Sequence, residues 1–228
     1  ADPPAGQRVV VFMHGWQTLT GLMKGNLGDT RDLHADTETW QALAAYATAH
    51  AADYKGKFEF YTVRYDSDKP VYDNAVDIHA ILASRFPGLQ IAVVAHSMGG
   101  LITHAMMCGY HPDGRAYAAW GGGIARLVTL DTPFHGSPMH QMLHRGLSDG
   151  AGALAGIPGW ATVQAAAGFL CLTTPGTMNL AWDEFDDHPL IAWGNANLAA
   201  LNSEPYTLAA MPDYHTFGAG LFPPTRGF

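Results

Sequence analysis

The sequence places one serine, Ser97, where its side chain could act as a nucleophile. The segment 95–100 (AHSMGG) follows an apolar run of strand length, IAVV, and precedes an apolar run of helical length, LITHAMM. A serine in such a strand-to-helix turn is typical of a nucleophile elbow. The turn strains the serine backbone and admits only small residues two positions before and after it, a demand that Ala95 and Gly99 meet. We therefore predict that the Ser97 side chain faces solvent at the top of the sheet as an attacking hydroxyl.

Acyl transfer by a serine also needs hydrogen-bond donors for the negative oxygen that develops on the substrate. The backbone N–H of Met98 lies at the start of the predicted helix and gains from the helix dipole. A second donor is expected after the first strand, where the segment HGW offers the N–H of Trp16 and where Gly15 allows close approach. We interpret His14 and His96, which flank these positions, as packing or orienting residues rather than bases.

Strand-like and helix-like segments alternate through the first part of the chain. The predicted strands cover 9–13, 58–65, 91–94 and 124–130. The predicted helices cover 40–47, with Asp36 or Thr37 as N-cap, then 76–86 and 101–107, and 17–34 is predicted to be a loop. This alternation predicts an α/β protein with a doubly wound, mostly parallel sheet, whose ligand site lies at the carboxyl ends of the strands.

The strand pattern stops after residue 137. Between 138 and 201 aromatic residues, Trp160 and Trp182 among them, concentrate in a region without sheet periodicity. We predict a core over 1–137 that includes the elbow, an inserted helical cap or lid over 138–201, and a return to the core sheet over 202–228. The returning strand is expected within 214–220.

Three motifs occur in a specific order: HGW at 14–16, AHSMGG at 95–100 and TLDTPFHGSP at 129–138. In this order and spacing the chain resembles lipase-like serine esterases of the α/β-hydrolase family, the group of triacylglycerol lipases and carboxylesterases. The resemblance covers about 8–138 with specific motifs and 195–220 more loosely. It implies the α/β-hydrolase fold, hydrolysis of carboxylic esters through an acyl-enzyme on Ser97, a hydrophobic ester substrate and no cofactor.

The family order Ser, Asp, His places the acid after the strand that follows the cap, and the histidine after one more strand. With 214–220 as the first of these strands, we expect both residues beyond Phe228, and the core sheet to be incomplete at the C-terminus. Within the chain the fallback candidates are Asp131, which follows the strand beside the nucleophile strand, and His215, the last histidine. His135 is interpreted as a residue of the pocket rim.

Two other functions stay open at this point. A polyester or polyhydroxyalkanoate depolymerase would use the same chemistry on a different ester. A non-catalytic binding protein on a hydrolase scaffold is the alternative from another class, because the chain shows neither an evident base nor an evident acid.

Charge and hydropathy narrow the range of partners. The chain has 12 Lys and Arg against 20 Asp and Glu, a formal charge of -8, and no basic run, which argues against nucleic acid as a partner. No apolar stretch approaches the roughly 20 residues of a membrane span. The opening ADPPA resembles the start of a processed mature protein, so we predict a soluble protein that is secreted or periplasmic. The oligomeric state is not indicated.

Two further groups of residues leave alternatives. Cys108 and Cys171 could form one bridge or remain two buried thiols. Asp186, Asp187 and His188 belong to an acidic cluster whose oxygen and imidazole groups could hold Ca²⁺ or Zn²⁺. We interpret the cluster as a solvated turn and predict no metal.

Overall fold

The structure is a computed structural model of the 228-residue chain. It describes residues 8–16, 28–30, 40–54, 57–115, 117–120, 123–136, 180, 198, 200–201 and 214–217.

Within these ranges six strands form one sheet, with helices between them. The strands are β1 (Arg8–Met13), β2 (Gly28–Thr30), β3 (Phe58–Arg64), β4 (Ile91–His96), β5 (Ile124–Leu130) and β6 (Tyr214–Phe217). The helices are α1 (Gln41–Ala49), α2 (Ala51–Tyr54), α3 (Val71–Arg85) and α4 (Met98–Cys108). The strand order is β2-β3-β1-β4-β5-β6, and every neighbouring pair is parallel except β2 with β3.

Strand β1 lies in the middle of the sheet and is covered on both faces. Val9, Val11 and Met13 belong to the larger core cluster, which also contains the buried sides of α3 and α4. Phe12 points to the other face, where its ring contacts that of Trp40 with centroids 5.2 Å apart. Because successive strand residues face opposite sides, the apolar run from Val9 to Met13 requires helices on both faces. The doubly wound arrangement predicted from the sequence is confirmed.

The side of β1 on which successive strands join the sheet changes after β3. From β1 the chain continues to β3 on one side, and it later returns to β4 on the other side. The loops that leave β1 and β4 therefore diverge above their shared carboxyl edge, which is where ligands bind in open α/β sheets. Ser97 follows β4, and the HGW segment follows β1.

Two local predictions were wrong. The predicted loop over 17–34 contains β2, which pairs antiparallel with β3. The segment Gly-Asp-Thr has little strand propensity, so this strand depends on the open edge of β3 rather than on its own sequence. Helix α1 begins at Gln41 with Trp40 at the N-cap position, not at a cap formed by Asp36 or Thr37, which lie outside the described residues. Burial of the Trp40 ring against Phe12 holds the start of α1 instead.

The C-terminal part of the chain is described only at a few positions. Strand β6 lies parallel to β5 in the register Leu127 to Tyr214, so the predicted return to the sheet within 214–220 is confirmed. Leu198 and Leu201 are buried in the larger core cluster. The rest of the predicted cap over 138–201 lies outside the described residues, apart from residues 180 and 200.

Candidate active site

Ser97 has the strained backbone that an elbow requires. Its φ of 49° and ψ of −121° place an L-residue in a rarely populated conformation, directly between the end of β4 and the start of α4. The Ser97 N–H donates to the carbonyl of Leu130 at 2.8 Å, and the Ser97 carbonyl accepts from the Gly100 N–H at 3.0 Å. Among the described residues the Ser97 hydroxyl makes no capping hydrogen bond to α4. The surrounding structure therefore holds the serine backbone in this strained conformation.

The small residue at position 99 is needed for a reason different from the one predicted. A Cβ at Gly99 would lie 2.6 Å from the His14 carbonyl oxygen and 2.9 Å from that of Met13. The first turn of α4 thus packs on the end of β1, and the nearest obstacle is that backbone rather than the side chain of Ala95. A larger residue at position 99 would push apart the two loops that leave β1 and β4.

Gly15 brings the loop after β1 against the serine. A Cβ at this position would lie 2.8 Å from Ser97 Cβ and 2.7 Å from His96 Nδ1. Ordinary carbon contacts begin at about 3.5 Å, so only glycine allows this approach. The HGW segment and the elbow are therefore in direct contact. The His96 Nδ1 atom beside Gly15 is buried and has no hydrogen-bond partner among the described residues.

The two backbone donors predicted for the oxyanion belong to the two segments that meet at Ser97. The Met98 N–H belongs to the first turn of α4, where N–H groups have no acceptor within the helix. Trp16 directly follows Gly15, outside any helix or strand. Within the described part of the chain, neither N–H donates to a backbone carbonyl.

His14 is buried and closely surrounded. His14 Nδ1 forms a hydrogen bond with the Gly15 carbonyl oxygen at 2.7 Å, and His14 Nε2 accepts a hydrogen bond from the Tyr65 N–H at 3.3 Å. The Tyr65 ring stacks on the imidazole, with centroids 4.0 Å apart and planes 6° apart, and the Tyr65 hydroxyl donates to the His14 carbonyl. Sequence reasoning missed Tyr65, whose only signal was its position as the last residue of a predicted strand.

Asp131 and His215, the fallback candidates for the catalytic acid and base, lie at different levels along the strands of the sheet. Asp131 directly follows β5, is exposed and has a left-handed φ of 51°. His135 is exposed on the same loop. His215 lies within β6, opposite Val128, two residues before the end of that strand. The structure brings Asp131 to the same sheet edge as Ser97, whereas the backbone of His215 lies below that edge.

One histidine near the site has a strongly shifted pKa. His104, on α4, is 7 % exposed, and its ring contacts that of Phe134 on the loop after β5. Burial lowers the pKa of His104 to about 4, because the interior disfavours the charged imidazolium. His104 is therefore neutral at physiological pH.

Other predicted features lie outside the described residues, among them Trp160, Trp182, Cys171 and the acidic cluster with Asp186, Asp187 and His188. The described residues contain no group of three His, Cys, Asp or Glu side chains that could hold a metal ion. No helix in the described ranges is long and apolar enough to cross a membrane.

Comparison with known proteins places this geometry in a family. A family model, the PGAP1-like alpha/beta domain, matches residues 4–147, which is more than half of the chain. The chain belongs to this α/β-hydrolase family. The matched range contains both the HGW segment and the Ser97 elbow, so the lipase-like resemblance of the sequence and the α/β-hydrolase fold are confirmed.

Solved structures give likenesses at low sequence identity. The PGAP1-like chain is similar to the Bacillus licheniformis lipase BlEst2 in propeptide form, with 16% identity and a TM-score of 0.50, covering 95% of this chain and 36% of that one. The mature form of BlEst2 gives a TM-score of 0.49 at 16% identity, covering 95% and 66%. Phospholipase PlaB from Legionella pneumophila gives 0.37 at 25% identity, covering 60% and 27%. The chain thus spans less than two thirds of the length of each of these proteins. No curated protein matches the sequence.

Proposed function

We propose that this protein is a carboxyl-ester hydrolase that works through an acyl-enzyme on Ser97. Membership of an α/β-hydrolase family supports hydrolysis in general. The observation that carries the ester mechanism is the strained Ser97 backbone, with φ of 49°, in contact with the Gly15 loop. Strained backbone conformations of this kind cluster at functional sites, and in an elbow the strained turn presents the serine hydroxyl at the edge of the sheet.

In the proposed reaction the Ser97 hydroxyl oxygen attacks the ester carbonyl carbon, and its proton passes to a general base. The carbonyl oxygen becomes an oxyanion that accepts hydrogen bonds from the N–H groups of Trp16 and Met98. When the tetrahedral intermediate collapses, the carbonyl re-forms, the bond to the alkoxide oxygen breaks, and the general base returns the proton to that oxygen, so that the alcohol leaves and Ser97 is acylated. Water then hydrolyses the acyl-enzyme by the same steps in reverse.

The substrate is proposed to be a hydrophobic ester. The apolar residues of segment 138–201 favour a sizeable acyl chain, since each Å² of apolar surface buried contributes about 25 cal/mol. A panel of p-nitrophenyl esters from acetate to palmitate, extended to polyhydroxybutyrate particles, separates a lipase-like preference from a depolymerase.

The experiment that tests the proposal compares ester turnover by the wild type and by Ser97→Ala. Loss of the nucleophile is expected to lower kcat by on the order of 10⁴-fold or more without a change in Tm. Ser84→Ala is the matched control, because Ser84 is exposed on α3 and lies outside both the elbow and the HGW segment. Turnover by Ser97→Ala at the wild-type rate would refute the proposal.

A further inference from the structure

Tyr65 makes contact with His14 in three separate ways. Its backbone N–H donates to His14 Nε2 at 3.3 Å, its hydroxyl donates to the His14 carbonyl, and its ring stacks on the imidazole with centroids 4.0 Å apart. The two residues are 5 % and 2 % exposed. Together these contacts restrain the backbone and the side chain of His14 at once.

The contacts also determine which nitrogen of the neutral His14 ring carries the proton. Because Nε2 accepts the Tyr65 N–H, the proton of the neutral ring is on Nδ1, which then donates to the Gly15 carbonyl at 2.7 Å. Tyr65 thereby fixes the tautomer that ties the His14 side chain to the next peptide group. That peptide group also contains the N–H of Trp16, the predicted oxyanion donor.

The sheet register explains why these residues meet. Met13 at the end of β1 pairs with Val63 of β3, so the loops that follow the two strands leave the sheet side by side. On the opposite side of the same loop, a Cβ at Gly15 would lie 2.8 Å from Ser97 Cβ. The HGW segment is therefore held between Tyr65 and the elbow.

We propose that Tyr65 is a positioning residue for the HGW segment. By holding His14 in place, it directs the Trp16 N–H towards a substrate oxygen above Ser97. The proposal rests on the proposed function. A residue that only fills the core would affect stability, whereas a positioning residue affects transition-state stabilisation in molecules that are folded.

The test is Tyr65→Phe in the full chain, which keeps the ring and the backbone N–H and removes only the hydroxyl. Active sites are counted by titration with a fluorophosphonate, so that turnover is expressed per reactive serine. We expect kcat per site to fall roughly tenfold with KM unchanged, the scale of one weakened oxyanion bond. The affinity for a trifluoromethyl ketone, whose serine adduct carries an oxyanion, is expected to fall by the same factor.

Tyr61→Phe is the matched control. Tyr61 is also a buried tyrosine of the same chain segment, on β3, and its hydroxyl donates to Glu59 Oε2 at 2.6 Å rather than to the HGW segment. Its removal is expected to leave kcat per site and ketone affinity at the wild-type values.

The outcomes separate the two proposals. If the wild type neither hydrolyses esters nor reacts with the fluorophosphonate, the proposed function fails. If the wild type is active and Tyr65→Phe matches it in kcat per site and in ketone affinity, the positioning role is overturned. If Tyr65→Phe does not fold, kcat per site and ketone affinity are measured for His14→Gln instead. This variant removes the stacked ring and the bond to Gly15, while Tyr65 remains.

Discussion

Replacement of Gly15 by alanine tests the contact between the HGW segment and the elbow. The added Cβ would lie 2.7 Å from His96 Nδ1 and 2.8 Å from Ser97 Cβ. Ordinary contact needs about 3.5 Å, so the loop must retreat from Ser97 by roughly 0.7 Å. A displacement of about 1 Å at a catalytic group can cost on the order of 10²-fold, and loss of one oxyanion donor costs a similar factor. We therefore expect kcat of Gly15→Ala to fall on the order of 10²-fold.

The assay measures p-nitrophenyl butyrate hydrolysis together with Tm. Trp16→Phe is the first control, since a backbone donor is independent of the side chain, and its kcat is expected to stay within about threefold of wild type. Gly88→Ala is the second control: apart from the two adjoining residues, no atom of the described residues lies within 4 Å of the added Cβ, but the φ of +70° costs an L-residue roughly 1 kcal/mol. It should lower Tm and leave kcat unchanged. A folded Gly15→Ala variant with wild-type kcat would show that the HGW segment does not serve Ser97.

Two further predictions concern ionisable residues. Burial lowers the folded-state pKa of His104 to about 4, against about 6.5 when unfolded, so its contribution to stability is complete above pH 6.5 and is lost as pH falls towards 4. Between pH 8 and pH 5 this contribution should fall by about 2 kcal/mol, and urea unfolding of His104→Leu should show a pH dependence weaker by that amount; an identical dependence in the two proteins would contradict the assignment. Asp131→Asn is expected to keep kcat within about threefold of wild type, because asparagine tolerates the φ of 51° and the exposed carboxylate is not required in the proposed steps. A loss on the order of 10⁴-fold would instead identify Asp131 as the catalytic acid.

Predominantly apolar runs made the central strands predictable from sequence. β1 is buried along most of its length, and buried residues alternate with half-buried ones in β4 and in most of β5, so the apolar residues of these strands report their environment. β2 was missed because Gly28–Thr30 pairs only through the edge that β3 offers, which is a tertiary effect. The start of α1 was misplaced because it depends on packing of Trp40 on Phe12 rather than on a polar cap.

The residues of the candidate site likewise divide into those that the sequence predicts and those that depend on tertiary contacts. Ser97, Gly15 and Gly99 could be predicted, since strain and close approach restrict the residue types at those positions. The contact between His14 and Tyr65 could not, because it depends on the register of β1 and β3, and residues 51 apart in sequence carry no local sign of it. Tyr65 belongs to the site through that register alone.

The central claim is that Ser97 is an activated nucleophile, and covalent labelling tests it most directly. The full chain is treated with a fluorophosphonate, its intact mass is measured, and the modified peptide is sequenced. We predict a single adduct on Ser97 that is absent from Ser97→Ala and retained in Ser84→Ala. An adduct that persists in Ser97→Ala, or a wild-type protein that takes up no label, would contradict the account.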